Sequence, residues 1–279
     1  MKIGLIDIEP KIKNTALMQI SYWHKHQGDT VEWAAPLEYD KFDKLYCSSL
    51  FTFTNKKQVP ERAIVGGTGF DLTTKLPFFI EDGELDYSIY PECKTSYVWF
   101  SRGCKRRCPW CVVPEKEGVF YLVRRKQLNL KGRYVTIMDN DFFSNPDWRN
   151  VILWLDRIPV DIQGIDARIL TEEMCKALDG LRRWKNKQFK IAWDEPSRNL
   201  EPTLRQIVRW IKPSKLMCYV LIGYQDTPNV DLWRVETLRK LKIDPFVMPY
   251  DKSDPYQKKF ARWVNHKAIF KSVKWKDYK

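Results

Sequence analysis

No run in the sequence approaches the roughly 18 to 20 consecutive apolar residues that a membrane-spanning helix requires, so no segment is expected to cross a bilayer. The first residues, MKIGLIDIEP, lack the basic start, unbroken apolar stretch and small-residue cleavage site of a signal peptide, because Asp7 and Glu9 interrupt the apolar residues. A cytoplasmic location is the expectation. Internal repeats and low-complexity segments are also missing. The seven cysteines do not make an even set, and a disulfide framework is not expected in a reducing compartment. Clustered cysteines then read as metal ligands or redox groups, and the scattered Cys47, Cys93, Cys175 and Cys218 as buried thiols. Acidic residues are in deficit, 35 against 48 lysines and arginines, and the net charge of +13 suggests an anionic partner.

What is present is an ordinary apolar fraction of 44% over 279 residues, enough for a sizeable core and long enough for more than one unit. Short β-rich runs alternate with helical patterns, which predicts an α/β architecture with mainly parallel strands. In residues 1–92, KIGLIDI, DTVEWA, KLYCSS and AIVGGTG read as strands, and NTALMQISYWHKHQG as a helix ended by Gly28. That is the outline of a small doubly wound α/β domain. Residues 93–250 restart the pattern with SYVWFS, RYVTIMD, VDIQGID, FKIAWD, LMCYVLIG and DPFVMPY, separated by helical segments such as NPDWRNVILWLDRI and TEEMCKALDGLRRW. Six βα units predict a partial (β/α)6 TIM-like barrel, fewer than a closed eightfold barrel needs. Residues 251–279 form a basic extension.

Directly after the first of these six strands comes WFSRGCKRRCPWCVVPEKEG, with Cys104, Cys108 and Cys111 spaced CxxxCxxC. Thiolates are soft ligands for zinc or iron-sulfur clusters, and a closed structural zinc site takes four ligands. Only three are local. A [4Fe-4S] cluster held by three cysteines leaves one iron without a protein ligand, whereas fully ligated electron-transfer clusters use four. Cys93, eleven residues before Cys104, is the rival fourth ligand that would complete a zinc site.

The spacing, its place after the first strand of a βα series, and Trp110 just before the third cysteine resemble the radical S-adenosylmethionine (radical SAM) superfamily. The resemblance implies that Cys104, Cys108 and Cys111 hold a [4Fe-4S] cluster, that the open iron chelates S-adenosylmethionine, and that Trp110 packs near the adenine. It further implies reductive cleavage to methionine and a 5′-deoxyadenosyl radical that abstracts hydrogen from a substrate. The cofactor carries that chemistry, and the protein supplies position and shielding. Arg102, Lys105, Arg106 and Arg107 would favour thiolates and tune the cluster, or dock an electron donor such as flavodoxin or ferredoxin. Family contacts to S-adenosylmethionine would map to strand ends. These are Asp139, Asn140 and Asp141 in IMDNDFF, which lacks the family's glycines, then Gln163, Asp166 and Arg168 in QGIDARIL, and Asp194 and Glu195 in IAWDEP. Each also reads as an ordinary capping or turn residue, and DEPS as a helix start.

An N-terminal doubly wound domain ahead of such a barrel resembles the cobalamin-dependent branch of the superfamily. The DxHxxG loop that carries the cobalt ligand is replaced by DIEPKIKNT, with no histidine, so cobalamin is not expected and the domain is expected to shape or cover the active site. His24 and His26 read as surface residues near a helix C-terminus. GGTGFD, Gly66 to Asp71, is a candidate anion-holding loop. Lys252 to Lys279 carries nine lysines and arginines against two aspartates. Its Phe260, Trp263, Phe270 and Trp275 read either as base-stacking rings among phosphate-binding cations or as the packed face of an amphipathic helix. The functional expectation is a radical SAM enzyme acting on an unidentified substrate, with a nucleic acid or nucleotide slightly favoured by the charge over a peptide or small molecule. A nucleic-acid-binding protein with a structural zinc site is the alternative.

Overall fold

The structure is a computed structural model that describes residues 1–124 and 126–279. The chain forms two compact units, Met1–Arg133 and Tyr134–Lys279, and the division falls within the segment read as 93–250.

Unit 1 opens with strand β1 (Lys2–Ile6), helix α1 (Thr15–His26), strands β2 (Thr30–Trp33), β3 (Lys44–Ser48) and β4 (Ile64–Gly66), and the short helix α2 (Phe78–Glu81). The four strands run parallel in the order β2-β1-β3-β4. Sequence reading found each of them, and β1 is a nearly continuous apolar run because both its faces are covered. Ile3, Leu5 and Ile6 of β1 are all buried, the first two packing with Leu17, Ile20 and Ile80, and Ile6 with Phe42, Leu45 and Cys47. Asn14 caps α1, its Oδ1 accepting from the N–H of Ala16 and Leu17, and its Nδ2 donates to Ser48 O. One polar side chain thereby ties the start of α1 to the end of β3.

The rest of unit 1 holds strands β5 (Thr95–Val98) and β6 (Ser101–Arg102), helix α3 (Val113–Lys116) and strand β7 (Tyr121–Leu122). β6 and β7 pair antiparallel, Arg102 opposite Tyr121, and hold the two ends of the cysteine loop together.

Unit 2 alternates strands and helices: β8 (Tyr134–Ile137), α4 (Trp148–Trp154), β9 (Val160–Ile162), β10 (Ile165–Asp166), α5 (Glu172–Gly180), β11 (Phe189–Ala192), α6 (Glu201–Trp210), β12 (Leu216–Ile222), α7 (Pro228–Lys240), β13 (Asp244–Pro249), α8 (Pro255–Asn265) and α9 (Lys267–Ser272). β8 pairs parallel with β9, and β10 to β13 form a parallel sheet in sequence order. The α/β class with parallel sheets expected from the sequence is what the chain adopts. VDIQGID, read as one strand, is two. The break lies at Gly164, where a Cβ would come within 2.4 Å of Asn140 O and 2.7 Å of Asp139 O, so the glycine admits the turn after β8. DEPS does not begin a helix. Arg198 N–H closes a turn on Glu195 O, and α6 starts later, at Glu201, whose N–H donates to Asn199 Oδ1.

Among the described residues no helix is long and apolar enough to cross a membrane. The basic extension resolves as α8 and α9, with Phe260, Trp263, Val264 and Phe270 buried. Trp275 packs on Phe260 and Trp263 at centroid distances of 5.0 and 5.3 Å. These rings belong to the core, which excludes the base-stacking reading for the three buried ones, while Lys258, Lys259, Lys267 and Lys271 are exposed.

Candidate functional site

The cysteine loop leaves β6 through Gly103, whose φ of +67° and closeness to Val119 O (2.2 Å from a built Cβ) restrict the position to glycine. Gly103 N–H donates to Glu117 Oε2 at 2.9 Å. Glu117 therefore closes the loop from its far end. Cys104 and Cys108 are half-buried and Cys111 is exposed. Arg106 N–H donates to Cys104 Sγ at 3.4 Å and Val113 N–H to Cys111 Sγ at 3.5 Å, while Cys111 N–H donates to Cys108 O. Backbone donors aimed at sulfur favour the thiolate that a metal requires.

In donor chemistry, then, the loop fits a thiolate-ligated cluster: three accessible thiols within eight residues, two of them met by N–H groups. Their convergence is another matter, because among the described residues no group of three or more His, Cys, Asp or Glu side chains is gathered closely enough to hold a metal ion. Cys93 does not join them. It is buried with Met18, Leu85 and Tyr90, its thiol directed to Thr95 O, and burial raises its pKa. Trp110 is half-buried in the same loop.

The four cations separate into different roles. Arg102 is bound to Glu81 and lies 3.7 Å from Glu117, which commits it to the collar of the loop. Lys105 sits over the Phe120 ring at 4.6 Å. Arg106 contributes its backbone to Cys104, and the Arg107 side chain is exposed.

In unit 2 the strand-end residues named from sequence do come together in part. Asp139 and Asp141 are buried after β8. Asp141 Oδ1 accepts from Asp166 N–H at 3.1 Å and its other oxygen from Ser144, so the turn after β8 is fastened to the end of β10. Asp166 caps the turn that follows it and accepts from Arg168 Nε at 2.8 Å, and Arg168 also reaches Glu195 Oε2 at 3.3 Å. Arg168 is thus engaged by two carboxylates, and a ligand carboxylate would compete with both. Asn140 and Gln163 are half-buried beside Gly164. Asp194 accepts from Leu221 N–H at 3.1 Å; burial pushes its pKa up to about 6, against the pull of that bond and of Arg234 and Arg168.

Beneath this rim lies a buried network that sequence reading missed. Arg234 has no exposed surface and donates to Asp226 at 2.6 Å, to Asp231 at 2.7 Å and to Trp193 O. Asp226 accepts from Gly223 N–H, and Tyr256 donates to Asp231. Desolvation raises the pKa of Asp231, and Asp226 alongside raises it further. The network fixes the turn after β12, where Gly223 has φ +79°. Its sequence signal was the D-x4-D-x2-R spacing that brings two acids and an arginine to the first turns of α7.

In unit 1 the anion-holding loop is not GGTGFD. That loop turns on its own Asp71, whose carboxylate accepts from Thr73 and Thr74 N–H and has its pKa lowered to about 2 by those bonds. Its glycines serve close packing: a Cβ on Gly67 would lie 2.5 Å from Ser49 O. The true nest follows β3 and holds Glu9, which accepts from Ser49 Oγ, Leu50 N–H, Phe51 N–H and Thr54 Oγ1. Burial opposes the ionised Glu9, yet these bonds outweigh it and keep its pKa below the usual range. His24, expected at the surface, is fully buried between Asp29 (2.6 Å) and the Tyr46 hydroxyl (3.1 Å). His26 is exposed, its ring 3.9 Å from that of Tyr22.

No protein-family model matches the chain, and no curated protein matches it.

Proposed function

We propose that the chain is a radical SAM enzyme. The observation that carries the proposal is the glycine-hinged CxxxCxWC loop, whose Cys104 and Cys111 sulfurs accept backbone N–H groups. Cys104, Cys108 and Cys111 would hold a [4Fe-4S] cluster after their side chains turn toward one another. When bound, that cluster supplies one electron for reductive cleavage of S-adenosylmethionine, and its open iron is what a three-cysteine set leaves for that ligand.

The chain's own residues would do the rest. The βα units of unit 2 would belong to a partial barrel, with working residues past the C-terminal strand ends. Asp139, Asn140, Asp141 and Gln163 would offer acceptors for an amino group, and Asp194 and Glu195 for ribose hydroxyls. Trp110 would pack against adenine and shield it from water. Arg168 would exchange Glu195 for a ligand carboxylate. Lys105, Arg106 and Arg107 would receive an acidic electron donor such as flavodoxin or ferredoxin. The exposed lysines of α8 and α9 favour a nucleic acid held through its phosphates, without ring stacking. The zinc alternative would need a fourth ligand, and the burial of Cys93 speaks against the nearest one.

Metal analysis after anaerobic reconstitution tests the reading. Iron and acid-labile sulfide bound together, and lost on Cys104→Ala, Cys108→Ala or Cys111→Ala, are expected. Stoichiometric zinc without iron would overturn it.

A further inference from the structure

Unit 1 contains a cavity of about 270 Å³ that no motif announced. One side of it is the C-terminal edge of the parallel sheet, where Thr15 begins α1, Ser48 ends β3 and Gly67 follows β4. With strand order β2-β1-β3-β4, the gap between β1 and β3 is the point at which the winding reverses, where open parallel sheets receive ligands. The opposite side is the collar of the cysteine loop: Trp99, Arg102, Lys116, Glu117 and Tyr121. Arg102 and Glu117 are the residues that fasten that loop. A molecule in the cavity therefore lies against the segment that carries the three thiols.

The lining has a definite chemical character. Trp99 and Tyr121 offer ring surface, Tyr121 being partly open to solvent. Arg102 is neutralised by Glu81 and Glu117, and the buried ammonium of Lys126 is consumed by the carbonyls of Glu81, Asp82 and Gly83. Lys75 and Lys116 differ: among the described residues neither meets a carboxylate. The cavity thus joins aromatic walls to two cations that form no ion pair among the described residues; of the lining acids, Glu81 and Glu117 are held by Arg102, and Asp82 alone remains beside Lys126. Its volume is near the low end of small-molecule sites, enough for one nucleotide unit and too small for a duplex.

We infer that this cavity binds a nucleotide, its planar base against Trp99 and Tyr121 and its phosphate beside Lys75 and Lys116. As a substrate site it rests on the proposed radical SAM reading; as a binding site it does not. The nucleotide is either free or an unpaired unit of a strand, since both present the same base and phosphate.

Equilibrium dialysis of the full chain against each ribonucleoside monophosphate, and against a short single-stranded RNA, separates those sources. Saturable binding of a monophosphate identifies a free nucleotide, and binding of the RNA alone identifies a unit within a strand. In either case the Lys75→Ala/Lys116→Ala double variant and Tyr121→Ala are each expected to raise Kd about tenfold, a loss of about 1.4 kcal/mol. The chain with all three loop cysteines replaced by alanine should bind as the parent does. Absence of binding to every probe, or binding that neither variant weakens, overturns the inference even if S-adenosylmethionine is cleaved. Binding with these sensitivities but no cleavage leaves the nucleotide site standing and overturns the enzyme class.

Discussion

In unit 2, Arg234 lies without solvent exposure between Asp226 and Asp231, and Lys187 and Lys190 both reach the buried Asp161. In unit 1, Lys75 and Lys116 line a cavity and find no carboxylate among the described residues, while the exposed Cys111 sits on a loop hinged by glycine. Both units are parallel α/β layers, so the contrast is not one of architecture. Charges matched inside the fold fix geometry, as the Arg234 network fixes the turn after β12. Unmatched charge beside an open cavity is available to a ligand.

That comparison breaks most visibly at Arg234. Arg234→Met would leave two carboxylates buried without their guanidinium, and urea denaturation is expected to show a loss of about 3 to 5 kcal/mol. A loss below about 1 kcal/mol would mean that the network is not structural.

Asp194 sharpens it with the opposite sign. Its pKa is higher in the folded chain, about 6, than the ordinary carboxyl value of 3.8, so the native state binds the proton more tightly. Stability from this group therefore falls as pH rises from about 4 to 6 and stays low above that window. Asp194→Asn keeps an acceptor for Leu221 N–H and removes the charge. It should stabilise the protein at pH 8 by on the order of 2 kcal/mol and change it far less at pH 4.5, measured by denaturation at the two pH values. Equal effects at both would contradict the account.

The smallest effect is expected at Glu9. Glu9→Gln should cost about 1 to 2 kcal/mol near neutral pH through weaker bonds from Leu50, Phe51, Ser49 and Thr54. Because the native carboxyl has the lower pKa, that gap should close as pH falls below the ordinary value of 4.5. A gap that persists in acid would mean the nest does not depend on the charge.

Much of the scaffold was legible in the sequence. KIGLI and LMCYVLI are apolar because both sheet faces are covered, and Asn14 ahead of a helical pattern is a local cap signal. The cysteine loop is equally local, its three thiols and both flanking glycines lying within sixteen residues. What stayed hidden depends on partners distant in sequence. Glu9 finds its donors forty residues on, and the second nitrogen of the buried His24 meets the Tyr46 hydroxyl twenty-two residues away. Arg168 gains Glu195 only when β10 and β11 lie side by side. The aromatic residues of the basic tail fit two patterns, a packed amphipathic face and base stacking, until the core they complete is seen. The cavity is a property of surfaces brought together, and no single stretch encodes it.

The most direct test of the central claim is the formation of 5′-deoxyadenosine from S-adenosylmethionine by the anaerobically reconstituted and chemically reduced chain. The account predicts that the product forms with the parent protein and is abolished by Cys104→Ala, by Cys108→Ala and by Cys111→Ala. No product from a parent chain that carries iron and sulfide, or product that survives any one of these substitutions, would contradict it.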